Sequence, residues 1–295
     1  MNEIVAINQR TWREKIASYK KRPISFLILL TVILAMAITM GAFLFLALYI
    51  LIKGIPHLTP SLFAWEYNTE NVSMFPAIIN TLLMTGLSLL ISVPIGIGAA
   101  IYLVEYAKKG NKIVGLVRIT AETLTGIPSI IYGLFGMLFF VTTLKWKLSL
   151  LSGAFTLAIM VLPVIMRTTE EALLAVPDSY RFGSFGLGAG KLRTVFKIVL
   201  PSAIPGILSG VILSIGRIVG ETAALIYTAG SIAKIPNSVF DSTRTLSVHM
   251  YSLSKEGLYT GQAYATAVVL LVLVLLINFA SEMLAKKLSR LSGGL

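Results

Sequence analysis

The chain has 295 residues, 56% of them apolar, and a mean hydropathy of +0.85. That is more apolar surface than a water-soluble core of this size hides, so the fold class expected is an all-α integral membrane protein. A formal charge of +12 would suit a nucleic-acid binder, but the cations sit between long apolar runs, and no nucleic-acid partner is expected; with no cysteine and only His57 and His249, disulfide frameworks and cysteine- or histidine-built metal centres are excluded, and no cofactor is expected.

Residues 1–22 form a polar arm with Arg10, Arg13, Lys15, Lys20, Lys21 and Arg22 just ahead of the first apolar run. That run, 24–52, is longer than a signal-peptide core and lacks a small-residue cleavage site, so it reads as a retained span. Residues 53–75 carry Trp65 and Tyr67, aromatics suited to a membrane interface. A second span is expected over 76–106, where Pro94, Gly96 and Gly98 predict a kink or close helix packing. A basic loop follows, with Lys108, Lys109, Lys112 and Arg118.

The third span, 124–143, opens with TGIPSIIYGLFG, in which Gly126, Pro128 and Gly133 weaken the helix near its start. A break there would aim free backbone N–H groups into a cavity; the plainer alternative is a proline kink against neighbouring helices. Lys145 and Lys147 precede a fourth span over 148–166, a fifth is expected over 203–229 and a sixth over 263–284. Residues 230–262 read as a polar loop, its Asp241, Arg244, His249 and Lys255 either solvated or meeting a binding protein, with solvation the plainer reading, and 289–295 as a short tail. Six spans put both termini on one side. Assigning the arm, the 105–118 loop, the segment before the fifth span and the C-terminus to the cytoplasm puts about 18 of the 25 Lys and Arg there, which the positive-inside rule requires.

Between spans four and five lies a polar, basic and glycine-rich elbow, about 177–201. Asp178 and Ser179 suit a helix start, and Phe182, Phe185, Ala189, Leu192, Phe196 and Val199 recur at helical spacing as one apolar stripe. Arg181, Lys191, Arg193 and Lys197 fall off that stripe, and Pro201 and Pro205 are expected to stop the helix from running into the fifth span. The run Gly186-Leu187-Gly188-Ala189-Gly190-Lys191 is not a nucleotide loop, because Phe185 and Leu192 occupy the places of the first glycine and the final hydroxyl residue.

Arg217, near the middle of the fifth apolar run, is the residue a bilayer should least tolerate: at a helix centre it costs roughly 2.5–3.5 kcal/mol. Glu221 lies four residues on and is expected to pair with it, with Gly216 and Gly220 leaving room for a ligand or a helix. The pair is either a helix lock or a site in an anion path, where a guanidinium fork suits a tetrahedral oxyanion.

Gly188, nine residues, then Ile198-Val199-Leu200-Pro201 resembles the glycine and I-x-L-P half of the cytoplasmic loop of ABC importer permeases, although Phe182, Gly183 and Ser184 stand where that loop carries Glu-Ala-Ala. Gly216-Arg217 with Gly220-Glu221-Thr222-Ala223, together with Gly126 to Gly133 upstream, resembles the permeases of the phosphate-specific ABC importer, and the A-type subunit best, over about residues 76–278. The resemblance implies a non-catalytic permease domain over 23–288 in a bacterial or archaeal plasma membrane. It implies Arg217 and Glu221 as the pair on the substrate path and Gly188 with Leu200 and Pro201 on the ATPase-coupling loop, and the neighbouring Thr222 and Ser129 are expected to join the path and Ala189 and Arg181 the loop. The partners implied are a homologous second permease, a cytoplasmic ATPase dimer and an extracytoplasmic phosphate-binding protein. A permease for sulfate or molybdate, or a non-transporting membrane scaffold, are the rival readings.

Overall fold

The computed structural model describes residues 23–108 and 110–292, with side chains over 24–108 and 110–287. The basic arm, Lys109, the Arg290 side chain and the last three residues lie outside the described residues. All regular structure among the described residues is helical. Helix α1, Pro23–Gly54, is apolar all round, as a lipid-embedded helix is, and its 32 residues exceed the roughly 20 needed to cross a bilayer.

The remaining helices are α2 (Phe75–Ile101, prolonged by a π turn, Tyr102–Tyr106), α3 (Lys112–Thr125), α4 (Ser129–Gly136, prolonged by a π turn, Met137–Thr143) and α5 (Leu150–Leu174). After these come α6 (Asp178–Gly186), α7 (Lys191–Thr194), a π turn over Val195–Val199, α8 (Leu200–Val219), α9 (Ala223–Thr228), α10 (Leu246–Glu256) and α11 (Thr260–Ser292). Among the described residues five helices are long and apolar enough to cross a membrane, and the bent pair α3 and α4 makes a sixth crossing if counted as one span.

Helix α5 is the core element. Its Leu157, Met160, Val161 and Ile165 are wholly buried, and α2, α8, α4 and α9 pack around it. Missing side chains permit the close approach: a Cβ on Gly96 of α2 would lie 2.8 Å from the Ile165 side chain, and one on Gly210 of α8 would collide with Thr168. The buried hydroxyls of α2 satisfy themselves along their own helix, Thr81 on the Ala77 carbonyl at 2.7 Å, Thr85 on Thr81 at 2.8 Å and Ser88 on Met84 at 2.8 Å. Polar residues therefore face the bundle interior without needing water.

Four expectations are corrected. The fourth span ends at Leu174, not 166, because its terminal charges are paired: Arg118 of α3 with Glu170 at 2.6 Å, and Arg167 with Glu122 at 3.1 Å and Glu171 at 3.3 Å. Pro201 and Pro205 do not stop the chain, which stays helical from Lys191 to Val219. The π turn shifts the backbone bonding register just ahead of Pro201, and Pro205 is carried within α8. The fifth apolar run is two helices, α8 and α9.

Lastly, the 230–262 segment is no simple solvated loop. Its α10 buries Leu246, Val248, His249 and Leu253, and is held by the Leu246 N–H on Thr81 Oγ1 at 2.9 Å. Asn80 donates to the carbonyls of Lys234 at 2.9 Å and Arg244 at 3.1 Å. Burial, reinforced by the Arg244 cation 3.3 Å from its Nδ1, pushes the His249 imidazole down to about 4, so it is neutral at physiological pH.

Candidate functional site

Two spans break, and the breaks face each other. The first falls at Gly126-Ile127-Pro128, where the axis turns by 103° between α3 and α4. Pro128 supplies no N–H and disfavours helical backbone at Ile127, so the α3 ladder ends there. Across the corner the Tyr132 hydroxyl donates to the Leu124 carbonyl at 2.8 Å, pinning α4 to the last turn of α3. Ser129 is the first residue of α4 and is partly exposed.

The second break falls at Gly220-Glu221-Thr222 and contains no proline. Glu221 leaves the helix: its carboxylate accepts the Ala224 N–H at 3.1 Å, and its carbonyl accepts the Ser247 hydroxyl of α10 at 2.6 Å. A carboxylate on the free N–H groups that open α9 is a favourable arrangement of charge and dipole. The short helices meet through glycine. A Cβ on Gly133 would lie 2.7 Å from the Ala224 Cα, and one on Gly136 would strike Thr156 and Thr228.

Arg217 therefore occupies the last turn of α8, not mid-helix, where the carbonyl end of the helix favours a cation. The expected pairing with Glu221 is not formed, because the helix that would have aligned them ends between them. Among the described residues no carboxylate lies within ion-pairing distance of Arg217, which is partly exposed and whose charge reaches the Tyr132 hydroxyl. The structure thus brings Arg217, Glu221 and Thr222 to one break and Ser129 to the other, and packs α4 on α9 near their starts. Arg217 thus ends α8 as a cation with no carboxylate partner among the described residues, while the Glu221 carboxylate is engaged by the Ala224 N–H.

At the far end of α5 the elbow is two helices around a glycine corner. Asp178 does not cap α6; its carboxylate accepts from Arg181 at 3.2 Å. Gly188 has φ +82°, with its N–H on the Phe185 carbonyl at 2.9 Å and the Ala189 N–H on that of Ser184 at 3.1 Å, a left-handed helix terminus that glycine favours. The predicted single stripe divides. Phe182, Phe185, Leu192 and Phe196 are exposed, with Leu187 90% exposed, whereas Val195 and Val199 are buried with Leu173 and Ala203. Leu200 and Pro201 belong to the first turn of α8, Leu200 packing against that buried cluster.

Arg181 is placed differently from the expectation. It turns inward, 13% exposed, and pairs with Glu105 at 2.8 Å. Sequence reasoning assigned Glu105 to a basic loop and missed this contact, which spans 76 residues of chain. The Ser247 contact to Glu221 was missed for the same reason, the two being 26 residues apart.

Residues 92–290 match the family model described as binding-protein-dependent transport system inner membrane component. The chain is 32% identical over 268 residues to a probable ABC transporter permease protein, YqgI, of Bacillus subtilis, covering 82% of this chain and 89% of that one. It is 36% identical over 239 residues to the phosphate transport system permease protein PstA of Pasteurella multocida, covering 77% and 81%. Among solved structures, a bacterial alginate ABC transporter in complex with its alginate-bound periplasmic protein superposes with a TM-score of 0.67 at 18% identity, covering 92% of this chain and 98% of that one. A methionine ABC transporter, MetNI, in an inward-facing conformation gives 0.57 at 21% identity over 74% and 94%. A fold shared with ABC importer permeases, a family match over most of the chain and relatives at this coverage lead to one conclusion: the chain belongs to the binding-protein-dependent transport system inner membrane components, a family of multi-pass permease subunits.

Proposed function

We propose that the chain is the permease subunit of an ATP-driven inorganic phosphate importer, with Arg217 the principal phosphate contact. The observation that carries this reading is the Arg217 guanidinium at the broken end of α8, with no carboxylate partner among the described residues. The relatives named as phosphate transport permeases support the choice of anion. Arg217 presents a planar fork to the phosphate oxygens, and the hydroxyls of Ser129 and Thr222 add neutral donors. Glu221 holds the second break in shape by engaging Ala224 and Ser247.

In this reading a homologous second permease completes the path, a binding protein delivers phosphate at the α10 end, and two ATPase subunits dock where Gly188 and Ala189 turn the corner beneath exposed Phe182, Leu187 and Leu192. The Leu200-Pro201 turn passes their movement into α8. The coupling end carries the denser Lys and Arg, which puts it in the cytoplasm of a plasma membrane. ATP hydrolysis belongs to the partners; this subunit alternates the access of its site.

Arg217→Ala is expected to leave assembly with the ATPase intact and to abolish uptake of labelled phosphate into membrane vesicles. Unchanged uptake rejects the role. Sulfate or molybdate displacing phosphate at equal concentration would assign the path to a different oxyanion.

A further inference from the structure

The coupling end contains a residue whose bonding is saturated. A guanidinium has five N–H donors, and Arg181 uses all five. Its Nε donates to Glu105 Oε1 at 3.0 Å and one terminal nitrogen to the same oxygen at 2.8 Å and to the Leu173 carbonyl at 2.9 Å. The other terminal nitrogen reaches the Val176 carbonyl at 2.7 Å and Asp178 Oδ1 at 3.2 Å. Those acceptors belong to three elements. Glu105 lies on the π turn that ends the α2 span, Leu173 and Val176 are at the end of α5 and just beyond it, and Asp178 opens α6.

Arg181 and Glu105 are 13% and 9% exposed, so water screens the pair little. The neighbouring residue on the π turn adds a second tie, with Lys191 Nζ of α7 5.0 Å from the centre of the Tyr106 ring. Within the elbow, the Ser184 and Thr194 hydroxyls lie 2.8 Å apart and brace α6 against α7. The elbow is therefore tied to two spans, and the Arg181–Glu105 pair that makes the main tie is itself largely covered.

We infer that Arg181 is a positioning residue that locks the elbow to the ends of α2 and α5, so that a displacement of the elbow reaches both spans at once. The inference rests on the reading of the chain as a permease driven by an ATPase. A lysine keeps the charge and much of the length but offers three donors on one compact ammonium in place of the planar fork, so it cannot make all five bonds. Glu105→Gln keeps size and an acceptor but removes the charge that holds two of the five donors.

The test uses the whole importer, with both permeases, ATPase and binding protein, reconstituted in liposomes with Arg181→Lys or Glu105→Gln in this chain. Three quantities are read: ATPase retained on purification, ATP hydrolysed, and labelled phosphate moved per ATP. The expected result is normal ATPase retention, continuing hydrolysis, and phosphate moved per ATP reduced roughly fivefold or more. An unchanged ratio in both variants makes Arg181 a fold-stabilising residue only and overturns the inference. Loss of the ATPase on purification would assign Arg181 to the docking face and overturn it equally. A wild-type complex that hydrolyses ATP but moves no phosphate contradicts the functional reading instead, whatever the variants do.

Discussion

The two spans are broken by different means. At Gly126-Ile127-Pro128 the break is covalent: proline withholds an N–H and its ring excludes helical backbone at the residue before it. At Gly220-Glu221-Thr222 nothing covalent forbids a helix, and Gly220 keeps an ordinary right-handed conformation with φ −83°. That break exists because contacts outcompete the helix, the Glu221 carboxylate taking the Ala224 N–H and the Ser247 hydroxyl taking the Glu221 carbonyl. A proline-made corner is stable on its own, whereas a contact-made corner depends on its neighbours and is the easier of the two to move. The second is also the corner that carries Arg217.

The largest effect is expected where both corners meet. Gly133→Ala drives a methyl to 2.7 Å from the backbone of Ala224, which cannot yield as a flexible side-chain tip would, and should cost about 1–3 kcal/mol in thermal unfolding of the purified protein in detergent. Unchanged stability would mean that α4 and α9 are not seated as described. Next, the corners should respond unequally. Glu221→Ala strips the second corner of its acceptor and should cost about 1–2 kcal/mol, with Glu221→Gln restoring much of it. Tyr132→Phe removes only the 2.8 Å bond across the first corner, which Pro128 still holds, and should cost about 1 kcal/mol or less. A Tyr132→Phe loss larger than that of Glu221→Ala would reverse the comparison.

The same distinction explains what was legible in the sequence. The apolar runs, the basic segments between them and the weakness at Gly126 and Pro128 all follow from local chemistry, and appear in the structure. The features not legible depend on residues far apart in the chain. The run Ile212 to Gly230 is apolar and reads as one helix until Ser247 is known to reach Glu221. Arg181 reads as a surface cation until Glu105 is brought to it from the other side of three helices. Helix α10 hides in a polar stretch because its first turn is held by Thr81 of α2 and the chain leading into it by Asn80. The stripe from Phe182 to Val199 misleads for a different reason: helical spacing is broken twice, by the left-handed Gly188 and by the π turn over Val195–Val199, and Val199 is buried where Phe182, Phe185, Leu192 and Phe196 are exposed.

The central claim of the proposed function is that phosphate passes Arg217 at the second corner. The absence of cysteine from the chain makes this directly measurable, since a single introduced thiol is unique in it. Gly220 is exposed and right-handed, and a Cβ there meets nothing closer than 3.5 Å, so Gly220→Cys fits without strain. In the reconstituted complex this thiol should react with a membrane-impermeant anionic sulfonate reagent far faster than one at Leu90→Cys on the exposed apolar face of α2, and phosphate should slow it where chloride does not. Labelling at Gly220→Cys as slow as at Leu90→Cys, or indifferent to phosphate, would contradict the account.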